Sequence, residues 1–144
     1  MRIQSLGHVV LKVRDRARSE AFYADVLGLP VVARLDAVQM SFFSLGNHHD
    51  FAVMAVGDDA PPPGEAATGL AHVAFKIGDD VEALRQAKAH LEAAGIAVTP
   101  VDHGVTQSLY FADPDGNGLE VYVDVSDAWR REPGKVAQYA PLAL

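Results

Sequence analysis

The chain has 144 residues, 49% of them hydrophobic and 22% charged, the composition of one soluble globular domain able to bury its own core. A net charge of −7 disfavours phosphate backbones and anionic lipid, so neither nucleic acid nor a membrane is an expected partner. The chain has no cysteine, which excludes disulfides, zinc–thiolate sites and cysteine nucleophiles and leaves nitrogen and oxygen as the only metal donors. No apolar run approaches the ~20 residues of a membrane span. The N-terminus, Met1-Arg2-Ile3-Gln4, has no signal-like apolar stretch, and the expected location is the cytoplasm.

Residues 8–13, His-Val-Val-Leu-Lys-Val, are apolar and β-branched and predict a strand. Asp15 is placed to cap a helix, Phe22, Tyr23, Val26 and Leu27 fall at helical spacing, and Gly28 ends it. Strands are predicted near Pro30–Arg34, Val38–Leu45 and Asp50–Val56. A proline-rich linker follows. Residues 72–77, His-Val-Ala-Phe-Lys-Ile, then repeat the first strand in character, position by position. A second helix is predicted with Asp79 and Glu82 as a capping box, the stripe Val81, Leu84, Leu91 and Ala94, and Gly95 as its stop. Strands near Ala97–Val101, Gln107–Ala112 and Leu119–Asp124 complete the second copy, with Asp113-Pro114-Asp115-Gly116-Asn117 as the turn between the last two. Each half therefore reads βαβββ. The expected organisation is a single domain over 1–144: module one 1–56, linker 57–69, module two 70–125 and an irregular C-terminal tail 126–144. For the tail, packing on the domain and fraying carry equal weight.

Side chains alternate across a strand, so His8 shares a face with Val10 and Lys12, and His72 with Ala74 and Lys76. The opposite face is more apolar and should meet the helices. Glu120 sits inside Leu-Glu-Val-Tyr-Val, a strand expected to be mostly buried. A buried carboxylate needs a compensating charge, from a cation held with His8 and His72 or from a lysine or arginine. Any one of the three residues alone is better read as structural. Two histidines at the same register of a duplicated strand, with one carboxylate, favour the metal. Two imidazoles and a carboxylate suit non-haem Fe(II) best, with Mn(II) as the alternative and zinc less natural.

The duplicated βαβββ pattern resembles the vicinal oxygen chelate superfamily, which includes glyoxalase I, bleomycin and fosfomycin resistance proteins, methylmalonyl-CoA epimerase and type I extradiol dioxygenases. The likeness covers residues 3–124, with Phe22-Tyr23 followed by Val26-Leu27-Gly28-Leu29 and the Asp-Pro-Asp-Gly-Asn turn ahead of Glu120 as typical segments. It implies an α+β fold in which two tandem modules form a cup-shaped mixed sheet around a metal site, with the helices outside. Residues 101–120 further resemble the extradiol dioxygenase signature through His103, Leu109, Tyr110, Asp113, Pro114, Gly116 and Glu120. By that resemblance His8, His72 and Glu120 are the iron ligands, Tyr110 hydrogen-bonds substrate or the metal-bound oxygen, and His103 lies beside the substrate. His49-Asp50-Phe51-Ala52-Val53 resembles the segment that carries the catalytic acid–base histidine. His49 is favoured over its neighbour His48, from which strand alternation would separate it.

The function implied is Fe(II)-dependent extradiol ring cleavage of a small aromatic vicinal diol with O2, and a homodimer is expected because pairing two chains covers the edge strands of a cup-like sheet. The alternatives are an epimerase, an isomerase or a thiol-transfer resistance enzyme of the same fold, or a non-catalytic drug-binding resistance protein. An isomerase of the glyoxalase type takes a fourth ligand, Glu or Gln, near the end of the first half. The chain offers His48, His49 and Asp50 there.

Overall fold

The computed structural model describes residues 1–64 and 66–144, so Glu65, within the expected linker, lies outside the described residues. The chain divides into two units, residues 1–67 with 113–117 and residues 68–112 with 118–144.

In unit one, β1 (Val9–Val13) leads to α1 (Arg16–Ala21), a π-turn over Phe22–Val26, then β2 (Val31–Leu35), β3 (Met40–Phe43) and β4 (Phe51–Ala55). The sheet order is β1-β4-β3-β2, with β1 parallel to β4 and the other pairs antiparallel. Asp15 caps α1, its carboxylate accepting from the Arg18 N–H at 2.6 Å. The helix widens where the consecutive aromatics Phe22 and Tyr23 are both buried, and Gly28, at φ +73°, ends it. Leu11 and Val13 are buried while Val10 and Lys12 are exposed, the alternation read from sequence. Tyr23, Phe43 and Phe51 form the aromatic core, with ring centroids 4.7–5.9 Å apart. Such pairs each add about 0.5–1.5 kcal/mol beyond their buried area.

The segment Asp113–Asn117 belongs to this unit although it follows β7 of the other. Tyr23 donates its hydroxyl to Asp113 at 2.8 Å, and Arg18 reaches Asp115 at 2.5 Å. The Asp-Pro-Asp-Gly-Asn segment is thus a turn with a second job, anchoring the end of the first helix.

Unit two repeats the order: β5 (Val73–Gly78), α2 (Val81–Ala93), β6 (Thr99–Asp102), β7 (Thr106–Ala112) and β8 (Gly118–Asp124). The sheet order is β5-β8-β7-β6-β9, β5 lying parallel to β8 and β9 (Ala140–Pro141) pairing with the edge of β6. The buried stripe Leu84 and Leu91 turns α2 onto β5, β7 and β8. The expected capping box does not form. Asp80 is the cap, accepting from the Ala83 N–H at 2.9 Å, while Asp79 is drawn to Lys76 at 2.5 Å and Glu82 bonds Gln86 one turn on. Gly95, at φ +78°, is the stop.

The fold is α+β, two βαβββ modules with strand orders that match. No helix among the described residues is long and apolar enough to cross a membrane.

Candidate active site

In unit one His8 stands immediately before β1, held there by the Val9 N–H donating to Asp50 O at 3.1 Å. The loop before β4 brings both other histidines to it. His49 lies 4.1 Å from His8 between ring centroids and His48 lies 6.2 Å away. The ligand atoms of all three approach within 4.8 Å of one another. The predicted separation of His48 from His49 does not hold, because β4 starts at Phe51 and strand alternation does not govern the loop ahead of it. Phe42 of β3 meets the His49 ring edge-on at 5.3 Å. Partial removal from water, with His8 and His48 nearby, lowers the His49 pKa below its ordinary value. Asp50 fixes the loop, accepting from the Leu45 N–H at 2.6 Å, and that bond first of all holds its carboxyl below the usual range.

In unit two the register Ala74↔Glu120↔Tyr110 sets three strands side by side, and Ser108 pairs with Tyr122 one step along. Residues paired across a sheet share a face, so Ser108, Tyr110, Glu120 and Tyr122 lie on the face away from α2. His72, two positions before Ala74, joins them. Glu120 is 7% exposed. Ser108 Oγ donates to Glu120 Oε1 at 2.5 Å, and His72 Nε2 lies 3.1 Å from Glu120 Oε2. No lysine or arginine forms an ion pair with Glu120 among the described residues. The alternative of a structural salt bridge therefore loses its basis. A carboxylate this buried, with one oxygen facing an imidazole nitrogen, fits a cation held by oxygen and nitrogen.

Tyr110 continues the network. Its hydroxyl lies 2.9 Å from His103 Nε2, and its ring meets His72 edge-on at 5.2 Å. Burial, then hydrogen bonding to Glu120, push the Tyr110 phenol up to about 12. The tail packs rather than frays: Trp129 and Val136 wall a cleft of about 350 Å³ whose other lining includes Glu120, Tyr122 and Val105.

The matching registers identify what module one carries where module two carries its carboxylate. Val10 pairs with Ala52 and Ala52 with Phe42, as Ala74 pairs with Glu120 and Glu120 with Tyr110. Ala52 thus takes the place of Glu120 and Phe42 that of Tyr110. The first module offers imidazoles and no carboxylate at that strand position.

Three participants escaped the sequence reading. Ser108 carried a signal in its alternation with Tyr110. Gly118 matters because a Cβ there would lie 2.2 Å from Ala71 O and 3.3 Å from the His72 Cβ, so its bareness admits the lead-in to β5. Gln138, whose main-chain oxygen lies 2.7 Å from His103 Nδ1, carried no local signal.

Residues 5–121 match the model of the Glyoxalase/Bleomycin resistance protein/Dioxygenase superfamily. A catechol-2,3-dioxygenase of Bacillus subtilis (strain 168) is 35% identical over 88% of this chain and 44% of its own. Biphenyl-2,3-diol 1,2-dioxygenase 3 of Rhodococcus globerulus is 38% identical over 83% of this chain and 63% of its own. The chain therefore spans about half the length of these two relatives. Glutathione transferase FosA of Serratia marcescens is 34% identical over 84% of this chain and 82% of its own. A crystal structure of a glyoxylase/bleomycin resistance protein/dioxygenase domain from Frankia sp. EAN1pec shares the fold, with a TM-score of 0.72 at 23% identity, covering 86% of this chain and 100% of that one. On the extent of the family match and the repeated βαβββ order, this chain belongs to the Glyoxalase/Bleomycin resistance protein/Dioxygenase superfamily.

Proposed function

We propose that the protein is a non-haem Fe(II)-dependent extradiol dioxygenase, with Mn(II) as the alternative metal, that opens the ring of a small aromatic vicinal diol with O2. His8, His72 and Glu120 are its metal ligands, His49 its acid–base group, and Tyr110 and His103 its substrate-positioning pair. The observation that carries the reading is Glu120, a buried carboxylate with no lysine or arginine paired to it among the described residues, beside His72 and on one face with Tyr110. The two dioxygenase relatives support the same chemistry. Ala52 at the strand position matching Glu120 counts against a fourth carboxylate ligand from module one, and so against an isomerase of the glyoxalase type.

When bound, the metal supplies Lewis acidity toward the two diol oxygens and a place for O2 beside them. The residues do the rest. His49, whose lowered pKa keeps its imidazole neutral, accepts a proton from a diol hydroxyl and returns it later. Tyr110, protonated at every ordinary pH, orients a substrate oxygen with His103 behind it. The carbon–carbon bond next to the diol breaks and both atoms of O2 enter the product, so no further reductant is required. Trp129 and Val136 present apolar surface to an aromatic ring in the cleft beside Glu120.

The test is an oxygen-electrode trace on Fe(II)-loaded protein with catechol and with biphenyl-2,3-diol. Oxygen uptake is expected with at least one. His49→Ala should retain its iron and lose about 10²–10⁴-fold in turnover, the usual worth of a positioned acid–base group. The Serratia relative favours a second reading, transfer of glutathione to a small electrophile. Thiol consumption without oxygen uptake would establish that reading in place of the first.

A further inference from the structure

The tail is the one part of unit two with no counterpart in unit one. After β8 it makes turns over Ala128–Arg130 and Pro133–Val136 and returns as β9 to the free edge of β6, with Leu142 N–H donating to Pro100 O at 3.4 Å. That return lays Gln138 and Tyr139 against His103. The Gln138 main-chain oxygen is 2.7 Å from His103 Nδ1, and the Tyr139 ring meets the imidazole edge-on at 6.0 Å. On the far side of the same ring, Nε2 is 2.9 Å from the Tyr110 hydroxyl.

A carbonyl oxygen has no proton to give, so Nδ1 must carry one. In the neutral imidazole Nε2 is then bare, and it can only accept. We propose that Gln138 is a positioning residue: its main-chain carbonyl fixes His103 as the Nδ1–H tautomer and thereby makes Tyr110 an acceptor toward substrate. The phenol has one proton and an inward acceptor, His103 Nε2, 2.9 Å away. With that proton directed inward, the phenol oxygen offers the cleft lone pairs alone. The group it selects is a hydroxyl that donates, as a diol has and an ether or ketone oxygen lacks. This last step rests on the dioxygenase reading, whereas the tautomer does not.

The tautomer is read directly from long-range ¹H–¹⁵N correlations of histidine-labelled full-length protein, at a pH about two units above the ordinary imidazole value of ~6.5. His103 is expected to carry its proton on Nδ1, and a proton on Nε2 in the wild type overturns the proposal. Gln138→Ala, which keeps the main-chain oxygen, should leave the pattern unchanged. Tyr139→Gly with Ala140→Pro should release the tail, seen as loss of exchange protection at the Leu142 amide, and bring up the Nε2–H form. An Nδ1–H form that persists after that protection is gone overturns the role of the carbonyl. With substrate, the same double variant should raise KM for the diol about 5-fold, the worth of one hydrogen bond of about 1 kcal/mol, with kcat less affected. A correct tautomer in a protein that consumes no oxygen would retain the positioning role and reject the dioxygenase reading.

Discussion

Glu120 and Tyr110 lie across from each other on adjacent strands, yet their replacement should have different consequences. Glu120→Ala removes the carboxylate proposed to hold the cation, and metal occupancy measured by elemental analysis should fall to background. Tyr110→Phe removes only a phenol oxygen. It should keep the metal and lower kcat/KM by about 5-fold, the worth of one hydrogen bond of about 1 kcal/mol from the substrate. Equal metal content in wild type and Glu120→Ala would reject the ligand assignment. These residues were legible because each is chemically out of place: a carboxylate among valines, and a histidine ahead of each of two similar strands. Gln138 was not, because a main-chain carbonyl has no side chain to read.

Among the elements, β8 has the tightest constraint at its first residue. Gly118→Ala would place a methyl 2.2 Å from the Ala71 carbonyl oxygen, and that contact is with backbone, which cannot swing aside. The lead-in to β5 must shift, and His72 with it. The variant should be less stable in urea denaturation by roughly 1–3 kcal/mol, as for other overpacked sites, and should bind metal more weakly than wild type. Wild-type stability and metal uptake would show that the lead-in tolerates the displacement. Helix starts and stops were legible as chemistry, in Asp15, Gly28 and Gly95. The error at Asp79 has a local cause. Two adjacent aspartates could each serve as cap, and Lys76, three residues earlier in sequence, drew one of them away.

For the molecule as a whole, acid sensitivity follows from the carboxylates the fold uses. Glu20 accepts from Arg34 and from Ser41 Oγ at 2.5 Å, and Arg34 first of all holds its carboxyl below the ordinary 4.5. A depressed folded pKa adds stability above the unfolded value and loses it as pH falls through the folded one. Wild type should therefore lose more stability than Glu20→Gln between about pH 5 and pH 3. The difference is small, because Arg34 is open to water. Thermal melts across that range test the sign, and a smaller loss in wild type would reject it.

The sequence by itself determined the two βαβββ modules, the cap of the first helix at Asp15, the helix stops at Gly28 and Gly95, and the alternation of buried and exposed residues along β1. All of these are local, set by periodicity, by turn residues and by alternation within a strand. Only the tertiary structure decided that Asp113 and Asp115 serve the first unit through Tyr23 and Arg18, at separations of 90 and 97 residues. It alone placed His48 beside His8, set Ala52 at the strand position matching Glu120, and returned Gln138 to His103 across 35 residues. Such contacts depend on sheet register and chain reversal, and neither leaves a periodic trace in the residues that make them.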